Sequence, residues 1–234
     1  MEPGDLSIVN GDLALTKDGD LKLGDDFYSG LFRFVQAWRF HYPHLRQLFS
    51  LAQEMASRRA ILEEQREKAL LEVQNNFSAS PASERFDKYH ELNDQIDASE
   101  IGHKIYSSCL ILLIDATLRR LKDDVGAKPS TWANCKPDFN GISLGELVKA
   151  SANSFRHADE WAKTTVPTPK QKPSQTALDT AMRNTLDDWQ QGTIDCSIVL
   201  SALSDGWRFE ALEAAVIGFA TDLVEQARDP KRNG

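Results

Sequence analysis

The chain has 234 residues, 41% of them hydrophobic and 26% charged, with a mean hydropathy of −0.43. That balance belongs to a water-soluble globular protein, long enough for one sizeable core and a small appendage. The 35 acidic against 27 basic residues leave a formal net charge of −8, which argues against non-specific coating of nucleic acid while permitting a local basic cleft. The longest purely apolar stretch, Cys109 to Ile114, falls far short of the ~20 residues of a membrane-spanning helix and is closely followed by Asp115, Arg119 and Arg120. The N-terminus lacks the basic start and apolar stretch of a signal peptide, so a cytoplasmic protein with no membrane association is expected.

In chain order, the first element is a β-hairpin. Leu13 and Leu15, then Leu21 and Leu23, alternate with polar or small neighbours, and Asp18-Gly19 between them is a hairpin-turn signal. Asn10-Gly11 marks another turn just before. Residues 1–25 are therefore expected to form a small hairpin appendage, and residues 26–234 a helical domain.

From Asp26 the apolar spacing changes to three and four, with Phe27, Leu31, Phe34, Val35 and Trp38 on one side of a helix. Pro43 is expected to interrupt it, and a second, longer helix to run from about His44 to Phe77. After a turn at 78–81, a return helix runs to about Lys122. Its stretch from Ile105 to Leu121 is apolar on nearly all sides, which predicts a central buried helix with Cys109 in the core. Two long helices joined by so short a link should pack as an antiparallel pair. Residues 125–142, rich in glycine and proline, read as loop. Ser143, with Glu146 three residues on, forms an N-cap and capping box for a helix expected to continue to Trp161. An exposed linker over 166–173 and helices over 177–189, 194–203 and 208–227 complete an all-α antiparallel bundle.

Chemical motifs are few. The chain has no glycine-rich phosphate loop, no H-E-x-x-H, no G-x-S-x-G and no C-x-x-C, and its three cysteines are widely spaced. No cofactor or metal is expected. Of the five histidines, His157 stands out in Ala150-Ser-Ala-Asn-Ser-Phe-Arg-His-Ala-Asp-Glu-Trp161. A helix continued to this point places Asn153 and His157 one turn apart with Arg156 beside them. Together they offer hydrogen-bond donors, a fixed positive charge and a group titrating near neutrality, the parts needed to hold a phosphodiester and move a proton at it.

The order of "KIYSSCLILLIDATLRRLK", a loop and "LGELVKASANSFRHADEW" resembles the HEPN superfamily of helical domains, over residues 100 to 225. Many of its members are RNA-cleaving toxins or defence proteins, and others are non-catalytic. Active members carry an arginine a turn or more before a histidine, often with asparagine directly after the arginine, and work without metal as dimers. The resemblance implies catalytic roles for His157, Arg156 and Asn153, a homodimer, and RNA or a cognate protein as partner. It also places Ala152 where the arginine should stand, a departure that equally fits a non-catalytic interaction module using the 44–98 helical hairpin as its partner arm.

Overall fold

The structure, a computed structural model, describes residues 26–75, 82–161, 163, 167–182 and 195–228, with 8–9, 12–13, 15 and 19 near the N-terminus. Among these the chain is all-α, with eight helices and two two-stranded sheets. In the first sheet, β1 (Ile8–Val9) pairs antiparallel with β2 (Asp12–Leu13), Ile8 opposite Leu13. This strand pair flanks Asn10-Gly11, the earlier of the two turn signals; Leu15 makes a β-bridge, and Leu21 and Leu23, its expected neighbours across Asp18-Gly19, lie outside the described residues. Gly19 has φ +87°, the left-handed backbone that its place in the Asp-Gly signal requires.

Helix α1 (Asp26–Asn75) runs unbroken through Pro43, where a break was expected. Proline removes the hydrogen bond to the Arg39 carbonyl, but Arg39 and Pro43 both face solvent, so water can take that carbonyl. On the opposite side Phe34, Trp38, Leu45 and Phe49 are buried. At roughly 1.5–3 kcal/mol per buried large apolar side chain, this face outweighs a proline cost of about 3 kcal/mol.

Helix α2 (Ala82–Asp124) lies along α1. The contacts between them pair rising numbers on α1 with falling numbers on α2. Arg33 Nε meets Asp124 Oδ2 at 3.2 Å, the Ala52 carbonyl meets His103 Nδ1 at 2.8 Å, and Arg59 Nη1 meets Glu100 Oε2 at 3.4 Å. Arg66 donates to Asn93 at 3.3 Å, and Lys88 pairs with Glu72 at 3.6 Å. Towards the far end the two helices share a core of their own, Leu62, Ala69, Leu92 and Ile96. Exposed ion pairs along this arm each contribute little, so the apolar seam holds it together.

The main core lies at the other end. There the first half of α1 and the second half of α2 meet α3 (Pro129–Asn134), α4 (Leu144–Arg156), α7 (Cys196–Leu203) and α8 (Phe209–Arg228). The segment read as loop holds both α3, with buried Trp132, and a hairpin of β3 (Asp138–Phe139) and β4 (Ile142–Ser143). Asn140 and Gly141, with φ of 52° and 85°, make its tight turn. Helix α5 (Ala158–Trp161) follows α4, and α6 (Lys172–Ala181) starts five residues earlier than expected. Pro173 favours that start, because a first-turn residue needs no intrahelical N–H partner. Residues 183–189 of the expected helix lie outside the described residues.

Helix α2 is only partly the buried helix that its composition suggests. Leu110, Ile111, Ile114, Leu118 and Leu121 are buried, while Ile105 and Cys109 are exposed. Fewer apolar residues are needed to face α1, α4 and α7 than the run supplies, so the surplus faces water. Residues Phe86–Asp124 include an 18-residue window of mean hydropathy 1.3, long and apolar enough to cross a membrane by composition, and 39% of that window is buried in the protein.

The three thiols differ accordingly. Cys135 donates to the Thr131 carbonyl at 3.1 Å, and burial pushes its pKa up to about 12. Burial also pushes the Cys196 thiol up, partly offset by hydrogen bonds with Ser108 and Ser151. Thiolate, not thiol, is the nucleophile. In the native protein near neutral pH a maleimide should add rapidly once, at Cys109, and reach the other two only on unfolding. Intact-mass spectrometry showing two fast additions would contradict this assignment.

Candidate functional site

The Ser143 hydroxyl caps α4, accepting from the Glu146 N–H at 3.2 Å. This is the cap expected from the sequence, and it orients a helix with one face buried through Leu144, Leu147, Val148, Ser151 and Ala152. The helix does not continue to Trp161. It ends at Arg156, with His157 as the capping residue at φ −116°, ψ 22° and its N–H donating to the Asn153 carbonyl at 3.1 Å. The chain then turns into α5.

This break decides where the three singled-out residues point. The His157 ring is 51% exposed, with Nδ1 3.4 Å from Glu160 Oε2. Asn153 donates from Nδ2 to Ser174 Oγ at 3.3 Å, tying α4 to α6. Asn153, His157, Glu160, Trp161, Lys170 and Ser174 line one side or another of an open groove of about 580 Å³. Arg156 does not line it. Its Nη2 lies 2.9 Å from Asp115 Oδ2, and its Nη1 makes only a long 3.5 Å contact with Asn153 Oδ1.

Asp115 was not singled out in the sequence, yet it organises this region. Its carboxylate is 1% exposed and receives Arg119 Nε at 2.8 Å as well as Arg156. A lone acid inside an apolar helical run, with a basic residue four places on, was the available signal. Lys170 and Ser174 were also missed; Lys170 just precedes α6 and Ser174 lies in its first turn, and only tertiary packing brings them to α4.

Ala152, at the position where the family pattern has arginine, is fully buried. A longer side chain there would enter the core rather than the groove. Chemically, the groove is lined by the imidazole of His157, the amides of Asn153 and Gln171, the hydroxyls of Thr168 and Ser174, the ammonium of Lys170 and the carboxylate of Glu160. Among the described residues, no three His, Cys, Asp or Glu side chains are grouped to hold a metal.

No family model, curated protein or solved structure matches this chain.

Proposed function

We propose that this protein is a cytoplasmic, HEPN-like antiparallel helical bundle that acts as a protein–protein interaction module, its groove a binding surface rather than a cleavage site. The observation that carries this reading is the direction of Arg156. Its guanidinium is spent on Asp115 and stays out of the groove, while Ala152 is buried. A phosphodiester in the groove would meet His157 without the fixed, bidentate cation that stabilises charge building on phosphate. Among the described residues the long arm of α1 and α2 packs on little besides itself, and it supplies extended surface for a cognate protein or a second copy.

The second reading, a metal-independent endoribonuclease of toxin or defence type, is favoured by one observation. His157 is half exposed in the same groove as Asn153 and Lys170, so acid–base chemistry has access to solvent and a cation nearby. In it His157 would move the proton, Asn153 would orient the ring and Arg156 would need to leave Asp115 to reach phosphate.

Incubating the purified protein with total RNA, with and without chelator, separates the two. The interaction reading expects intact RNA for both the wild type and His157→Ala. Chelator-resistant cleavage that disappears in His157→Ala would overturn it in favour of the nuclease.

A further inference from the structure

We infer that the outer face of α2 between Ala98 and Ala116 is a self-association surface, which pairs antiparallel with the same face of a second copy. The inference rests on the interaction reading above and supplies its partner; the two fail separately, since one is read by RNA integrity and the other by molecular mass.

Ala98, Ile101, Ile105, Cys109, Leu112 and Ala116 recur at spacings of three and four, so they share one side of the helix over about 27 Å. Ile101 is 58% and Ile105 46% exposed; Ala98, Cys109 and Ala116 are exposed and Leu112 is half-buried. No charged residue occupies any of the six positions, although solvent-facing helix positions ordinarily carry them. Such a seam of apolar and small residues is what a second helix packs against.

The occupant is set by the order of residues. Reversing the stripe about its midpoint near Ser107 lays Ala98 on Ala116 and Ile105 on Cys109. The same reversal brings exposed Asp94 to exposed Arg120, twice about the two-fold axis. Neither has an ion-pair partner within its own chain among the described residues. A parallel arrangement would instead stack Asp94 on Asp94 and Arg120 on Arg120, which is repulsive. Beyond these pairs Glu91 and Asp123 would meet as like charges, limiting the contact to the stretch between the ion pairs. Two copies therefore satisfy each other on a surface that is complementary to itself, the condition for an isologous dimer. One helix pair buries less than the ~1,600 Å² of a standard interface, so association is reversible and concentration-dependent.

The test is light scattering on the full chain over a concentration series reaching roughly 100 µM, the range that resolves such small interfaces. The expected result is a mass rising from 26.2 kDa towards twice that value. Ile105→Glu, at an exposed position, should weaken association by about tenfold or more while leaving the far-ultraviolet spectrum and melting temperature unchanged. A short bismaleimide should link two wild-type chains through Cys109 and none in Cys109→Ser. Asp94→Arg and Arg120→Asp should each weaken the dimer, and the double variant should restore it. A chain that stays at 26.2 kDa throughout overturns the inference, as does a dimer indifferent to Ile105→Glu. Failure of the charge-swapped double variant to recover overturns the antiparallel arrangement.

Discussion

Gly145→Ala is expected to lower stability by about 2–3 kcal/mol, although alanine is the better helix former, because overpacking a filled core costs more than propensity returns. A Cβ at this second position of α4 would sit 2.5 Å from Phe219 Cζ and from Trp132 Cε2 and Cζ2. Those two rings stack edge to face with centroids 5.0 Å apart, deep in the main core. Both are 5% exposed or less, so neither can step aside into solvent. The α4 backbone must retreat or the ring pair must part, and either loosens the place where α3, α4 and α8 meet. Gly218→Ala in α8 is the matched control. It is exposed, its new methyl would meet nothing within 4 Å, and it should gain roughly 0.5–1 kcal/mol from helix propensity. Thermal melts of both variants decide the matter. For a chain this size the first should fall by roughly 5–10 °C, and an unchanged melting temperature would refute the tight packing.

Gly145 also shows what sequence can and cannot convey. Nothing in its neighbours marks it as a contact glycine, since the rings that forbid a methyl lie 13 residues before it and 74 after it in the chain. What was legible had a local cause. The period of three and four along Phe27 to Trp38, the Ser143 cap and the extents of α7 and α8 each depend on residues within a turn or two. The turn at Asn140-Gly141 was equally local, but it was obscured by the prolines and glycines around it, which read together as one long loop. Pro43 misled for the opposite reason. Its local cost is real, and whether a helix breaks depends on which side faces water and how much core the other side buries. The extra apolar residues of α2 likewise carry no local mark of direction; only the packing of α1, α4 and α7 shows that Cys109 looks outward. The candidate site was half legible. Asn153 and His157 do share a groove, but the helix ends between them without glycine or proline, and Arg156 is drawn away by an acid 41 residues earlier.

That acid is the second position where a single substitution should have a large effect. Asp115 ties α2 to α4, with Arg119 Nε at 2.8 Å from its own helix and Arg156 Nη2 at 2.9 Å from the other. Asp115→Asn keeps the shape but removes the charge, and it turns amide hydrogens towards one of two guanidinium groups. Losing the anion of a buried ion pair costs about 3–5 kcal/mol when the cations stay buried. Here the arginine side chains are 41% and 37% exposed and can recover water, which brings the expected loss to about 2–3 kcal/mol. One donor cannot turn so easily, because Arg119 Nη2 is buried without a hydrogen-bond partner. Arg156→Ala leaves Arg119 on the carboxylate and should cost less, about 1–2 kcal/mol. His157→Ala, at a half-exposed ring, should stay within about 0.5 kcal/mol of the wild type. Urea unfolding of the three variants and of Asp115→Asn/Arg156→Ala measures this directly. The double variant should lose less than the sum of its parts, because both single changes break the same contact. Unchanged stability in Arg156→Ala would mean that the guanidinium is available to the groove, and would move the weight of evidence from binding towards phosphodiester chemistry.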